Sequence, residues 1–113
     1  MKLWIDDARP APKGYVWCKS INEAKQEILH IENINRRYRI FTNTGITEEV
    51  EIELIDIDHD LGDYASDGGD GVKLFDWLEA TGRNYPIRIH SANAVGVANM
   101  RRIIERNGWK EVF

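Results

Sequence analysis

The chain has 113 residues, 42% hydrophobic and 30% charged, with a formal net charge of -4 and one cysteine. That composition fits one globular domain and carries none of the low-hydrophobicity signature of disorder. It excludes an internal disulfide, makes a Cys-based zinc site improbable, and argues against a broad footprint on duplex DNA. Met1 to Asp7 is no signal peptide, because its apolar run is broken by two acids after three residues. No stretch approaches the roughly 18 apolar residues of a membrane span. The expected location is therefore cytoplasmic, with no membrane partner.

In chain order, Leu3-Trp4-Ile5 predicts a short buried strand ending at Asp6-Asp7. A Pro/Gly loop, Arg9 to Gly14, leads to a second strand, Tyr15 to Cys18. Cys18 lies in this apolar run and reads as a small core residue. Ser20 and Glu23 have capping-box spacing, and Ile21, Ala24, Ile28 and Ile31 recur at helical intervals, predicting a helix over about 20–31. His30 falls on its surface. Tyr38-Arg39-Ile40-Phe41, an Asn/Gly turn and Ile46-Thr47 suggest a β-hairpin inserted at about 36–51.

Ile52 to Asp58 predicts a third strand, again ending in acids. A Gly/Asp-rich loop follows to Gly69, and Asp67 and Asp70 read as turn and cap residues. A helix is expected over Asp70–Ala80 and a strand over Pro86–Ile89 ending at His90-Ser91. Another helix is expected over Asn93–Asn107, stopped by Gly108, and a fifth strand over Trp109–Phe113. Trp4, Trp77 and Trp109 read as core or edge packing.

Apolar strands alternating with amphipathic helices imply an α/β fold: a mostly parallel sheet covered on both faces, with one site outside the carboxyl ends of the strands. Three such ends carry polar clusters: Asp6-Asp7, Asp58-His59-Asp60, and His90-Ser91-Ala92-Asn93. Asp6, Asp7 and Asp58 would form an all-oxygen metal site suited to Mg²⁺ or Mn²⁺. His59 and His90, with Asp58 and Asp60, are the candidate catalytic residues, since two imidazoles on neighbouring strand ends suit paired acid and base work. Arg9, Ser91 and Asn93 are candidates for holding phosphate, with the helix beginning near Asn93 aiming amides at the same anion. There is no Gly-Lys-Ser/Thr phosphate loop. The adjacent His59-Asp60 pair lacks the further helical His ligands of HD phosphohydrolases.

These residues carry a resemblance. Asp6-Asp7, Asp58, Asp70-Gly71 and Ser91-Ala92 resemble the acidic pair, phospho-acceptor, helix opening and Ser/Thr-Ala of response-regulator receiver domains. The additional Arg9-Pro10-Ala11-Pro12, His59-Asp60-Leu61-Gly62, His90 and Asn93 closely resemble the receiver-derived cyclic-phosphate processing receiver domains. The resemblance implies a three-layer, receiver-like (flavodoxin-like) fold with a central five-stranded sheet of order 2-1-3-4-5, here with the hairpin insertion and no final helix. It implies processing of a cyclic phosphate on a nucleotide or an RNA end. The alternatives are a binding module that sequesters a nucleotide without turnover and a degenerate phospho-accepting receiver. Against the last, the strand-end lysine of receivers has no match, Lys110 lying near the start of the fifth strand.

Overall fold

The computed structural model describes the backbone of residues 1–42 and 50–113 and the side chains of 1–37 and 50–113. The elements run β1 (Lys2–Ile5), β2 (Tyr15–Cys18), α1 (Ile21–Thr42), β3 (Leu54–Ile57), a 3₁₀ turn (Gly62–Ser66), α2 (Val72–Ala80), β4 (Ile87–Ile89) and α3 (Ala94–Asn107). All strand pairs are parallel, in the order β2-β1-β3-β4.

The expected fifth strand is reduced to one parallel bridge between Ile87 and Glu111, so the sheet has four strands. The bridge lies beside β4, where a fifth strand would add. Trp109 is drawn into the core against Phe75 instead of extending the ladder. The first arm of the expected hairpin is also absent: residues 38–42 continue α1, and Asn43–Glu49, with the turn and second arm, lie outside the described residues.

Ser20 explains the start of α1. Its hydroxyl accepts from the Glu23 amide at 3.1 Å, while the Glu23 carboxylate accepts from the Lys19 amide at 2.6 Å, one residue earlier than in a standard capping box. Asn93 caps α3 in the same way, accepting from the Gly96 amide at 2.9 Å, and Gly108 ends that helix at φ 65°.

The helices occupy one face of the sheet. Leu3, Ile5, Ile55, Ile57 and Ile87 share a single buried cluster with Ile21, Ala24 and Ile28 of α1, Leu74, Phe75 and Leu78 of α2, and Met100, Ile103 and Ile104 of α3. Side chains alternate along a strand, so the rows Lys2–Tyr15–Leu54 and Trp4–Trp17–Asp56–Arg88 face the other way. Among the described residues this makes two layers, where three were expected. The physical reason is topological. The connections through α1, α2 and α3 all step in one direction across the sheet, and crossovers of one hand then lie on one face. The only step in the opposite direction, β1 to β2, is made by the loop Asp6–Gly14, which holds no helix. Cys18 faces the helices; burial first, then Glu27 and Glu23, push its thiol up to about 12, so it is packing and not a nucleophile. No helix among the described residues is long and apolar enough to cross a membrane.

Candidate functional site

At the carboxyl ends of β1, β3 and β4 the ladders run one residue beyond the strands. The Asp6 amide donates to the Cys18 carbonyl, Asp58 to Ile5 and His90 to Ile57. These bonds fix the backbone that carries the polar groups.

Asp6, 1% exposed, is bonded at both carboxylate oxygens. One oxygen accepts from the amides of Ala8 and Arg9, both at 2.9 Å, and the other contacts His90 Nε2 at 2.9 Å. Burial raises its pKa, but the Arg9 and Ala8 amides and the His90 bond together outweigh burial and hold it below the usual carboxylate value. The second nitrogen of His90, Nδ1, lies 2.6 Å from the Asp56 carboxylate, which is 2% exposed. The two contacts make an Asp6–His90–Asp56 triad that spans β1, β3 and β4. The Trp4 indole stacks flat on the imidazole, with centroids 3.8 Å apart and planes at 6°. Both ring nitrogens of His90 are therefore engaged, which argues against the free acid/base role expected for it.

Sequence reasoning missed Asp56. The signal was present: an acid inside the fully buried strand Leu54-Ile55-Asp56-Ile57 demands a partner, and His90 ends the adjacent strand. Trp4 is likewise more than packing, since its indole N–H also donates to the Arg9 carbonyl at 2.8 Å.

His59 is placed differently. Its Nδ1 lies 2.7 Å from Asp60, and Asp60 also accepts from the Asn93 amide group at 3.1 and 3.3 Å. Because Asn93 Oδ1 is committed to capping α3, its NH₂ must point at Asp60. The His59 bond, then Asn93, holds the Asp60 carboxyl below its usual range. A Cβ on Gly96 would lie 2.5 Å from His59 Cγ, so this glycine is the floor on which the imidazole rests. Among the described residues Nε2 of His59 has no hydrogen-bond partner.

Two further glycines set the loop. A Cβ on Gly71 would collide with the Asp58 carbonyl, and the Gly71 amide donates to the His59 carbonyl at 2.7 Å. Gly62, at φ 53°, brings its backbone against the Asp7 carboxylate. Asp70 accepts from the Leu61 amide at 3.1 Å, and Asp67 ties the Gly-rich loop to Ser20 and Asn22.

The carboxylates of Asp6, Asp7 and Asp58 place oxygens within 4.8 Å of one another, and His59, Asp60 and Asp70 form a second such group. The oxygen donors of the first suit a hard divalent cation. Asp7 and Asp58 are its available members, because neither side chain accepts a hydrogen bond from the described residues, whereas Asp6 is already committed.

A family model for the cyclic-phosphate processing receiver domain matches residues 1–106. The chain belongs to this family. No curated protein matches, and no solved structure matches. In this cyclic-phosphate processing receiver domain the remaining candidates are dispersed. The guanidinium of Arg9 is exposed and has no partner among the described residues. Ser91 accepts from the Asn93 amide at 3.2 Å and borders an open groove of about 580 Å³ along α3, lined also by Val97, Arg101 and Arg102 and by none of the clustered acids. Lys110, through its carbonyl, pairs with the Ile87 amide at the start of β4, the opposite end of the sheet from Asp58.

Proposed function

We propose that this domain opens a cyclic phosphate on a nucleotide or RNA end, with His59 as the proton-transfer group. The observation that supports this reading is the His59–Asp60–Asn93 chain. Asp60 orients the imidazole through Nδ1 and leaves Nε2 available, the geometry a general base needs. Water attacks phosphorus, its proton passes to Nε2 of His59, and the ring P–O bond breaks. The same imidazole then returns the proton to the departing ribose oxygen, leaving a phosphomonoester. The N-terminal amides of α3 face the anion, and the Arg9 guanidinium is free to pair with it. A divalent cation at Asp7 and Asp58, with Asp6, would neutralise charge on the phosphate oxygens. His90 is a positioning residue in this scheme: it holds Asp6 in line and is itself held by Asp56 and Trp4.

The test is a turnover screen with 2′,3′-cyclic and 3′,5′-cyclic mononucleotides and a cyclic-phosphate-ended oligoribonucleotide, each with EDTA, Mg²⁺ or Mn²⁺. Ring opening is expected, reduced about 10²–10⁴-fold by His59→Ala while ligand-induced thermal stabilisation persists. No product with any substrate, together with stabilisation by one of them, would replace the enzyme with a nucleotide-binding module.

A further inference from the structure

The sheet face that carries no helix among the described residues is not a bland surface. Trp17, 37% exposed, lies beside the half-buried Trp4, and Tyr15 meets Trp4 edge-on with centroids 5.9 Å apart. Cations flank these rings. Lys19 lies 4.7 Å from the Trp17 centroid, Lys2 lies 5.5 Å from that of Tyr15, and the exposed Arg88 ends the same row on β4. The one acid in that row, Asp56, is buried on His90. A protein of net charge -4 thus concentrates aromatic rings and positive charge on one face of the sheet. That face leads into the candidate site: Asp6, Asp58 and His90 follow Trp4, Asp56 and Arg88 by two residues on the same three strands, about 7 Å further on.

We infer that this face binds single-stranded RNA, a base stacking on the exposed Trp17 and its phosphates meeting Lys2, Lys19 and Arg88, so that the 3′ end reaches the strand-end carboxylates. Aromatic platforms rimmed by cations are the usual chemistry of single-strand binding. A second copy of this chain is a poorer occupant, because a two-fold contact would set this positive patch against itself. The choice of RNA over DNA rests on the proposed activity, since a 2′,3′-cyclic end requires ribose.

The test uses a fluorescein-labelled ten-nucleotide RNA ending in a plain 3′ hydroxyl, followed by anisotropy, with the deoxy strand in parallel. The wild-type protein is expected to bind with an affinity that falls as salt rises. Trp17→Ala should weaken binding at least 5-fold, in line with about 1–3 kcal/mol per stacked base. Lys19→Glu should weaken it similarly and flatten the salt dependence, while Arg102→Glu on α3 leaves it unchanged. Absence of wild-type binding, equal loss in Arg102→Glu, retention in Trp17→Ala, or binding confined to the deoxy strand overturns the inference. So does concentration-dependent dimerisation in sedimentation that Trp17→Ala abolishes. Cyclic mononucleotide turnover, measured on the same preparations, separates the two readings: its failure beside intact RNA binding sinks the proposed activity alone, and the reverse sinks the binding face alone.

Discussion

At the scale of single residues, the imidazoles of His59 and His90 are chemically alike and structurally opposite. His90 is enclosed by two buried carboxylates and a tryptophan, and both its ring nitrogens are used. His59 uses one nitrogen and keeps the other. Removing His90 leaves Asp56 an unpaired buried acid and Asp6 with its Ala8 and Arg9 amides alone, which is far costlier than losing a surface pair. His90→Leu should therefore lose about 3–5 kcal/mol of stability at pH 7 in urea denaturation. Adding Asp56→Leu to that variant should recover part of the loss, because the stranded carboxylate is then gone. No recovery in the double variant would show that packing against Trp4, not pairing with Asp56, is what His90 supplies. The sequence displayed every member of this triad but not its pairing. Asp6 and His90 were legible as strand-end polar residues; Asp56 hid inside an apolar strand, and only the register of β3 against β4 reveals what it faces.

At the scale of elements, α3 and the His59 loop act as one unit. The cap that starts the helix also orients Asp60, and the third residue of the helix, Gly96, supports the imidazole. Gly96→Ala tests this coupling. The added methyl must displace the ring, so turnover should fall by about 10²-fold. Alanine is itself the better helix former, so thermal stability should stay within about 1 kcal/mol of wild type. A variant with full activity would remove the floor from the scheme. The helices were legible because capping and periodicity are local: Ser20 with Glu23, Asn93, and Gly108 all stand where the sequence pattern puts them. The misreadings arose where local signals were weak. Residues 38–42 are β-branched or aromatic in part and look strand-like, yet they extend a helix already nucleated by Ser20 and carried by its core stripe. The fifth strand failed for the converse reason: Trp109 gains more by burial against Phe75 than a short edge strand gains in ladder bonds.

At the scale of the whole molecule, long-range polar contacts fasten the single helical layer. Glu32 of α1 accepts from Arg83 through both carboxylate oxygens, at 2.8 to 3.1 Å, and from the Tyr85 hydroxyl at 2.7 Å, joining α1 to the α2–β4 loop. Arg83, then Tyr85, lowers the Glu32 pKa against burial, while burial first and then Glu32 raise that of Tyr85. Glu32 and Asp6 are both depressed in the folded state, so each adds stability that is fully present above its unfolded value and is lost as pH falls through the folded one. Melting temperature should hold from pH 7 to about 5 and fall steeply below about 4. Glu32→Ala should cost about 1–3 kcal/mol at pH 7 and make that acid limb shallower. An unchanged limb would place the acid sensitivity in other carboxylates. The topology explains why so few strands suffice: every helical crossover runs the same way, so one cluster gathers all three helices.

The Asp6–His90–Asp56 triad has a consequence for how the chain finds this arrangement. It ties β1, β3 and β4 together, the residues that end β1 and β4 meeting through an acid two residues back along β3. A slip of β3 by one residue would turn Asp56 toward Leu74 and Phe75 and expose Ile55 and Ile57. A collapsed chain with β3 misplaced would bury a lone carboxylate in hydrocarbon, and His90 would face nothing it could bond. Correct pairing is thereby the one alignment in which these ionisable groups are mutually satisfied, so assembly of the sheet is checked at the same atoms that later hold the site in place.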